Sequence, residues 1–384
     1  MDSNNPFSAG TPVRGGQSAD IGYKNIQSDV NLYRGNLSFP VVLASLEGRD
    51  GLGFSLQINY SPGSEEAFHN SNADSIPSVV GWNWTMPLAY IAVSSRAQKE
   101  TYNTSYFLVG DGGQYPLYQT GKDADAVHFY SVEHPLWKIR LVTHNKEEVY
   151  WEILKENGHK FTYGLGDSAE VNVAWGNFTG AYNGGGGKQY PVGWYLSKVE
   201  SPKGGVIVFE YDNIRMPIGN SEFTSEIYLK RVTASYGHSA ELFYEPKTPD
   251  EYTPANIPQK GRLLYQGICE NRYLSKIEVK NPAGTVLYSQ ILEYSLVPSS
   301  KKEHKRLLMS VTQQLPTGEN MPPIRFEYDA DTAWLSKKIM PVDGAVSYTY
   351  GQQTLTAYQP DARMECNFSD FSDSQNHVQT AAGR

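Results

Sequence analysis

The sequence predicts an all-β fold, built from consecutive antiparallel β-hairpins that form an extended or curled sheet system. Three observations predict it. The second half repeats one pattern five times: an aromatic or leucine opening, a short alternating run, a Gly or Pro turn, then an alternating run that ends at a tyrosine. The 384 residues include 35 Gly, 22 Pro and 27 Tyr, which means many turns and many rings suited to a pleated, half-buried surface. Nowhere do apolar residues keep the i, i+3, i+4, i+7 spacing of an amphipathic helix beyond a turn or two.

Taken in order, residues 1–29 are rich in Gly, Ser, Asn and Gln without periodicity and read as a flexible tail. A single β domain over 30–351 follows, with N-terminal strands in 30–175 and hairpin repeats in 191–351. Its first strands are Val30–Tyr33, Asn36–Ala44 and Gly53–Tyr60, broken at Arg34-Gly35 and at Glu47-Gly48-Arg49-Asp50-Gly51. One of Gly48, Gly51 and Gly53 is expected at positive φ. A polar loop over 61–78 leads to the stretch Val79–Val93. Thr104–Thr120 reads as a hairpin about Asp111-Gly112-Gly113, and the strands AVHFYSV and WKIRLVTH come next. Tyr150–Gly164 is a hairpin about Asn157-Gly158, the strongest short-range turn signal. Residues 176–190 read as a loop around four consecutive glycines, Gly184 to Gly187.

The five repeats are Trp194–Asp212, Tyr228–Glu245, Tyr273–Ser295, Arg306–Asp329 and Trp334–Gly351. In the first, strict alternation puts Leu196 and Lys198 on one face and Ser197 and Val199 on the other, with the turn at Pro202 and Gly204. Tyr211, Tyr244, Tyr294, Tyr328 and Tyr350 end the second strands and are expected at related packing positions. Neighbouring hairpins bury one another's apolar face, so function is expected in a surface rather than a pocket. Residues 352–384 read as a polar tail.

Charge removes further classes. A net charge of −8 and a pI near 5.6 speak against a nucleic-acid partner, which needs a basic stripe. The one basic run, Lys301 to Arg306, reads as a solvated loop. No apolar run reaches the roughly 18 residues of a membrane span, and the start lacks the cationic and apolar regions of a Sec signal. The location expected is extracellular, or cytoplasmic before release. Cys269 and Cys366 lie far apart and read as reduced thiols. The N-x-S/T triplets at Asn36, Asn83, Asn103, Asn177 and Asn367 are chance-level and imply no glycosylation.

Catalytic signatures fail in turn. Gly184-Gly185-Gly186-Gly187-Lys188-Gln189 lacks phosphate-loop spacing, with Gln189 where a hydroxyl is required. His128, His134 and His144 sit in no metal-ligand spacing, and no nucleophile elbow or calcium loop occurs. Glu147-Glu148 and Glu65-Glu66 point to opposite faces of a strand. Trp82 with Trp84, and Phe209 with Tyr211, share faces; core packing is the reading, and stacking on a sugar the alternative. No catalytic, cofactor-binding or metal-ligating residue is assigned, and no cofactor is expected.

Three stretches carry a resemblance: GNLSFPVVLASLEGRDGLGFSLQINYSPG (Gly35–Gly63), VVGWNWTMPLAYIAV followed by YFLVGDGGQYPLY, and the repeated hairpin units. In this order they resemble the SpvB-type N-terminal domain of virulence toxins and the B component of insecticidal toxin complexes, relatives of the Rhs/YD-repeat proteins. The resemblance implies a non-enzymatic structural component of a secreted, extracellular toxin or virulence assembly, a β-shell segment whose partners are other toxin-complex or Rhs-like subunits. Relatives of the single-chain kind carry an ADP-ribosyltransferase. This sequence has no Glu-x-Glu pair of that type, Gln98-Lys99-Glu100 lacking the strand before it, and no Rhs autocleavage region. About 230 strand residues closed into one layer give a radius of only about 17 Å, too small to cage a sizeable toxin domain. The chain is therefore expected to be one segment of a larger container, a truncated or split product, or an adaptor. A carbohydrate-binding β protein is the rival reading.

Overall fold

The computed structural model of the protein describes residues 29, 37–63, 68–69, 78–93, 106–110, 113–144, 147–174, 188–218, 221–251, 271–299, 304–342 and 344–351. The expected strand Val30–Tyr33, most of the 61–78 loop, both cysteines and the 352–384 tail lie outside these residues.

The chain opens with an antiparallel sheet of β1 (Phe39–Leu46), β2 (Phe54–Tyr60) and β3 (Trp84–Thr85). β2 alternates buried and half-buried residues along its whole length, the period-two signature of a one-sided strand. The turn between β1 and β2 is a single 3-10 turn at Arg49–Gly51, with Gly51 at φ +77° as expected.

A meander follows: β4 (Tyr90–Val93), β5 (Tyr106–Gly110), β6 (Gly113–Lys122), β7 (Ala126–Tyr130), β8 (Lys138–His144), β9 (Glu147–Leu154) and β10 (Lys160–Tyr163). Each pairs antiparallel with the next. Beyond β11 (Ala169–Ala174), the long β12 (Lys188–Glu200) pairs with β10 through one half and with β4 through the other. That double pairing closes an eight-strand barrel from β4 to β10 and β12. Its inside is filled: Trp151 and Trp194 are fully buried, with ring centroids 5.7 Å apart, and Tyr106 and Phe129 pack on Trp151 at 5.0 and 4.8 Å. Eight strands leave room for side chains and no more. The 176–190 loop is corrected in part: Lys188, Gln189 and Tyr190 are already in β12 and pair with β11, because β11 offers them an edge.

From β12 the sheet continues through β13 (Val206–Ile218), β14 (Ser221–Ala234), β15 (Ser239–Pro246), β16 (Arg272–Lys280), β17 (Val286–Pro298), β18 (His304–Gln314), β19 (Ile324–Tyr328), β20 (Leu335–Ile339) and β21 (Ala345–Ser347). Every strand pairs antiparallel with its successor, so the five repeats are five consecutive hairpins in one sheet. The turns of the first four repeats and of the earlier β9–β10 hairpin share one geometry. Gly158, Gly204, Gly237, Gly284 and Gly318 stand at φ between +79° and +89°, and each donates its N–H to the carbonyl three residues back. A side chain at that φ is strained, which is why glycine recurs there.

Two expectations are corrected. In β12 the pairing steps from Lys198 opposite Thr162 to Leu196 opposite Tyr163, so Ser197 is a bulge and Leu196 shares its face with Val199 rather than with Lys198. His304, Lys305 and Arg306 are not in a solvated loop; they begin β18, and Lys305 and Arg306 are buried. Lys305 lies 5.1 Å over the Trp82 ring, and Arg306 is ion-paired.

Candidate functional site

The bulge recurs in every unit. Where the leucine of the opening strand is followed by an extra residue, the ladder skips Ser197, Lys230, Ser275, Met309 and Ser336. A tyrosine stands opposite each leucine: Tyr163 against Leu196, Tyr211 against Leu229, Tyr244 against Leu274, Tyr294 against Leu308 and Tyr328 against Leu335. The hydroxyls of Tyr211, Tyr244, Tyr294 and Tyr328 donate to the carbonyls of Leu196, Leu229, Leu274 and Leu308 at 2.9, 2.8, 2.7 and 2.6 Å. Each ring therefore holds its own hairpin by the hydroxyl and the next hairpin by the backbone. Burial pushes the Tyr211 and Tyr294 hydroxyls well above the usual tyrosine range, so they stay protonated donors. These four tyrosines occupy related positions as expected, whereas Tyr350 lies past β21 and outside any strand.

Three of the leucine N–H groups that the bulges release are taken up by the N-terminal part of the chain. Leu196 donates to the Ala89 carbonyl at 2.9 Å, Leu274 to the Val79 carbonyl at 2.7 Å and Leu335 to the Tyr60 hydroxyl at 2.8 Å. Trp82 donates in the other direction, to the Arg306 carbonyl at 2.7 Å. The Trp84 indole adds a bond to the Tyr328 hydroxyl at 2.9 Å, and Phe54 packs edge-on against Phe209 at 5.1 Å. Trp82, Trp84, Phe209 and Tyr211 are all buried, so they pack the core and present no ring to a sugar.

Two buried ion pairs complete the joint. Lys338 stands where Val199, Val232, Ile277 and Val311 stand in the other units, three residues after the leucine. Its ammonium lies 2.6 Å from Asp29, which also accepts from the Tyr348 hydroxyl at 2.9 Å. Asp29 is thus buried at the last hairpin. Arg306 donates twice to Glu251, at 2.8 and 2.7 Å, and lies 3.7 Å over the Tyr273 ring. A charged residue at an otherwise apolar position of the repeat was the sequence signal for Lys338; Arg306 carried none, since Arg272 stands at the same position of the preceding unit.

The remaining candidates do not converge. His128 pairs with Asp123 at 2.7 Å, holding the Asp123 carboxyl down at about 2. His134 stacks on Trp137 at 3.7 Å, and His144 ends β8. No cluster of three His, Cys, Asp or Glu suited to a metal ion occurs among the described residues. The sheet ends at β21, which pairs with β20 through Ala345, Val346 and Ser347; no strand pairs with its other side among the described residues.

Barrel and bulge row define an all-β protein held together by antiparallel strand pairing. No family model and no curated protein matches the sequence. Among solved structures, the crystal structure of TcdB2-TccC3-Cdc42 aligns over 77% of this chain and 16% of that chain, with a TM-score of 0.52 and 14% identity. The Tc holotoxin pore of Photorhabdus luminescens aligns over the same shares with a TM-score of 0.53 and 13% identity. The N-terminal domain of the effector SpvB from Salmonella typhimurium strain LT2 aligns over 72% of this chain and 99% of that one, with a TM-score of 0.45 and 14% identity. In fold, the chain is similar to a part of the Tc toxin chains, and it spans 16% of their length.

Proposed function

We propose that the chain is a non-enzymatic structural component of a bacterial toxin or virulence assembly, a β-shell segment that helps to hold or deliver a toxic cargo. The carrying observation is the uninterrupted sheet of five hairpins, four of them locked by a tyrosine, ending at β21 in a fold similar to part of the Tc toxin chains. An open edge presents unpaired N–H and C=O groups that a strand from another chain can complete. The partner is a second toxin-complex or Rhs-like subunit, met outside the producing cell or in the cytoplasm before release.

Co-expression with a neighbouring Rhs-like gene product, followed by size-exclusion chromatography, is the test. A stable complex that is lost when Val346 is replaced by Pro supports the reading. A monodisperse monomer, together with NAD-glycohydrolase, transferase or glycosidase turnover by the purified chain, overturns it in favour of an enzyme.

A further inference from the structure

The outer face of the barrel across β6 to β10 carries charged and apolar side chains in register. Tyr118 lies opposite Tyr130, with ring centroids 5.4 Å apart, and the pairing of Phe129 with Ile139 puts Tyr130 beside Lys138. Lys138 lies opposite Leu154, and Leu154 opposite Lys160. Paired residues project to the same side of a sheet, so these side chains form one row. Tyr118, Tyr130 and Leu154 remain 47%, 43% and 37% exposed. A parallel row of His128, Arg140 and Glu152 runs beside them. A groove of about 500 Å³ is lined by members of both rows and by Trp137, while Tyr118 and Tyr130 lie outside its lining.

Its lining sets Lys138, Arg140 and Lys160 against the single carboxylate of Glu152, on a chain whose net charge is −8. Arg140 is paired with Glu152, and Lys160 with Glu200 at 2.9 Å and with Glu152 at 3.7 Å. Lys138 has no charged partner among the described residues.

We propose that this face binds an extended acidic segment of a partner protein, with a carboxylate at Lys138 in the groove and an apolar side chain over the Tyr118 and Tyr130 rings beside it. The row crosses five strands, four spacings of about 4.8 Å, or about 19 Å in all. That is the reach of about six extended residues and exceeds a small anion. A polyanion without apolar groups would leave Leu154 and both rings uncovered, so charge alone does not fit the row. The groove is remote in register from β21, and it stands or falls independently of the assembly proposed above.

The test is a fluorescence-anisotropy titration of the full chain with a labelled peptide that alternates Glu with Leu and Phe. An isosteric peptide with Gln at each Glu, and vesicles of phosphatidylserine and phosphatidylcholine, run beside it. The acidic peptide is expected to bind, more weakly as salt rises. Lys138→Glu should weaken it by about fivefold or more, and Tyr130→Ser should weaken it too. Both sites are exposed, so melting should stay at the wild-type temperature. Equal binding of the Gln peptide, no binding of the acidic one, or indifference to Lys138→Glu overturns the site. Capture by the vesicles without peptide binding overturns it in favour of a lipid headgroup.

Discussion

The hydroxyl of Tyr294 donates to the carbonyl of Leu274 at 2.7 Å, while the backbone of Tyr294 pairs with Leu308 in the next hairpin. One side chain thus closes its own unit and fixes the spacing to its neighbour. The bulge at Ser275 makes this possible by turning the Leu274 peptide out of the regular ladder. Repetition of the arrangement makes the sheet a chain of equivalent joints, in which each unit is stabilised chiefly by its neighbours.

Tyr294→Phe removes the donor and leaves the carbonyl of the fully buried Leu274 without that partner. A loss of about 1–2 kcal/mol is expected in urea denaturation. Tyr118→Phe, at an exposed ring, should change nothing. An unaltered midpoint for Tyr294→Phe contradicts the joint.

Stability should fall in acid through Glu251. Burial acts to raise its pKa, but the hydrogen bonds from Arg306 and Thr248 more than offset this, and the folded value lies below the ordinary 4.5. A depressed carboxylate contributes stability that is present above its unfolded pKa and lost as the pH falls through the folded one. Melting temperature should therefore drop below about pH 4.5 in the wild type. Glu251→Gln should melt lower at pH 7 and lose less on acidification. Parallel curves for the two proteins between pH 7 and pH 3 would exclude this pair as the acid-labile element.

Lys338 breaks the apolar pattern of the repeat, and its burial depends on Asp29, 309 residues away. Asp29→Ala leaves a buried ammonium unpaired, a change that costs about 3–5 kcal/mol. Lys338→Ile restores the residue class that the other four units use at this position. The double variant should accordingly be more stable than Asp29→Ala alone. Additive losses in a thermal-melt cycle would show that the two side chains are not coupled.

The hairpins were legible because their signals are local: Asn157-Gly158 and Pro202 to Gly204 mark turns, and the tyrosines mark strand ends. The bulges were not, since Ser197 looks like any other residue of an alternating run and its effect appears only against the register of β10. Barrel closure was hidden for the same reason. It depends on Trp194 pairing with Ile91, a contact about a hundred positions apart that leaves no periodicity. Arg306 read as part of a solvated loop, and the burial of Lys338 went unread, because their partners, Glu251 and Asp29, lie 55 and 309 residues away.

Deleting single residues from β16 separates a bulge from a ladder position. Leu274 pairs with Tyr244 and Ile277 with Leu242, so the two share a face although they are three apart. Removing Ser275 places them two apart, the natural period of a strand, and keeps both on that face. The variant should fold and lose about 1–3 kcal/mol, because the Leu274 peptide no longer points at the Val79 carbonyl and the Tyr294 hydroxyl. Removing Glu278 instead makes Ile277 and Val279 adjacent, so one of two fully or nearly fully buried side chains must turn to the opposite face. That variant should be insoluble or unfolded. Circular dichroism and urea denaturation of both proteins decide the matter, and equal damage from the two deletions would show that Ser275 is an ordinary ladder residue rather than an inserted one.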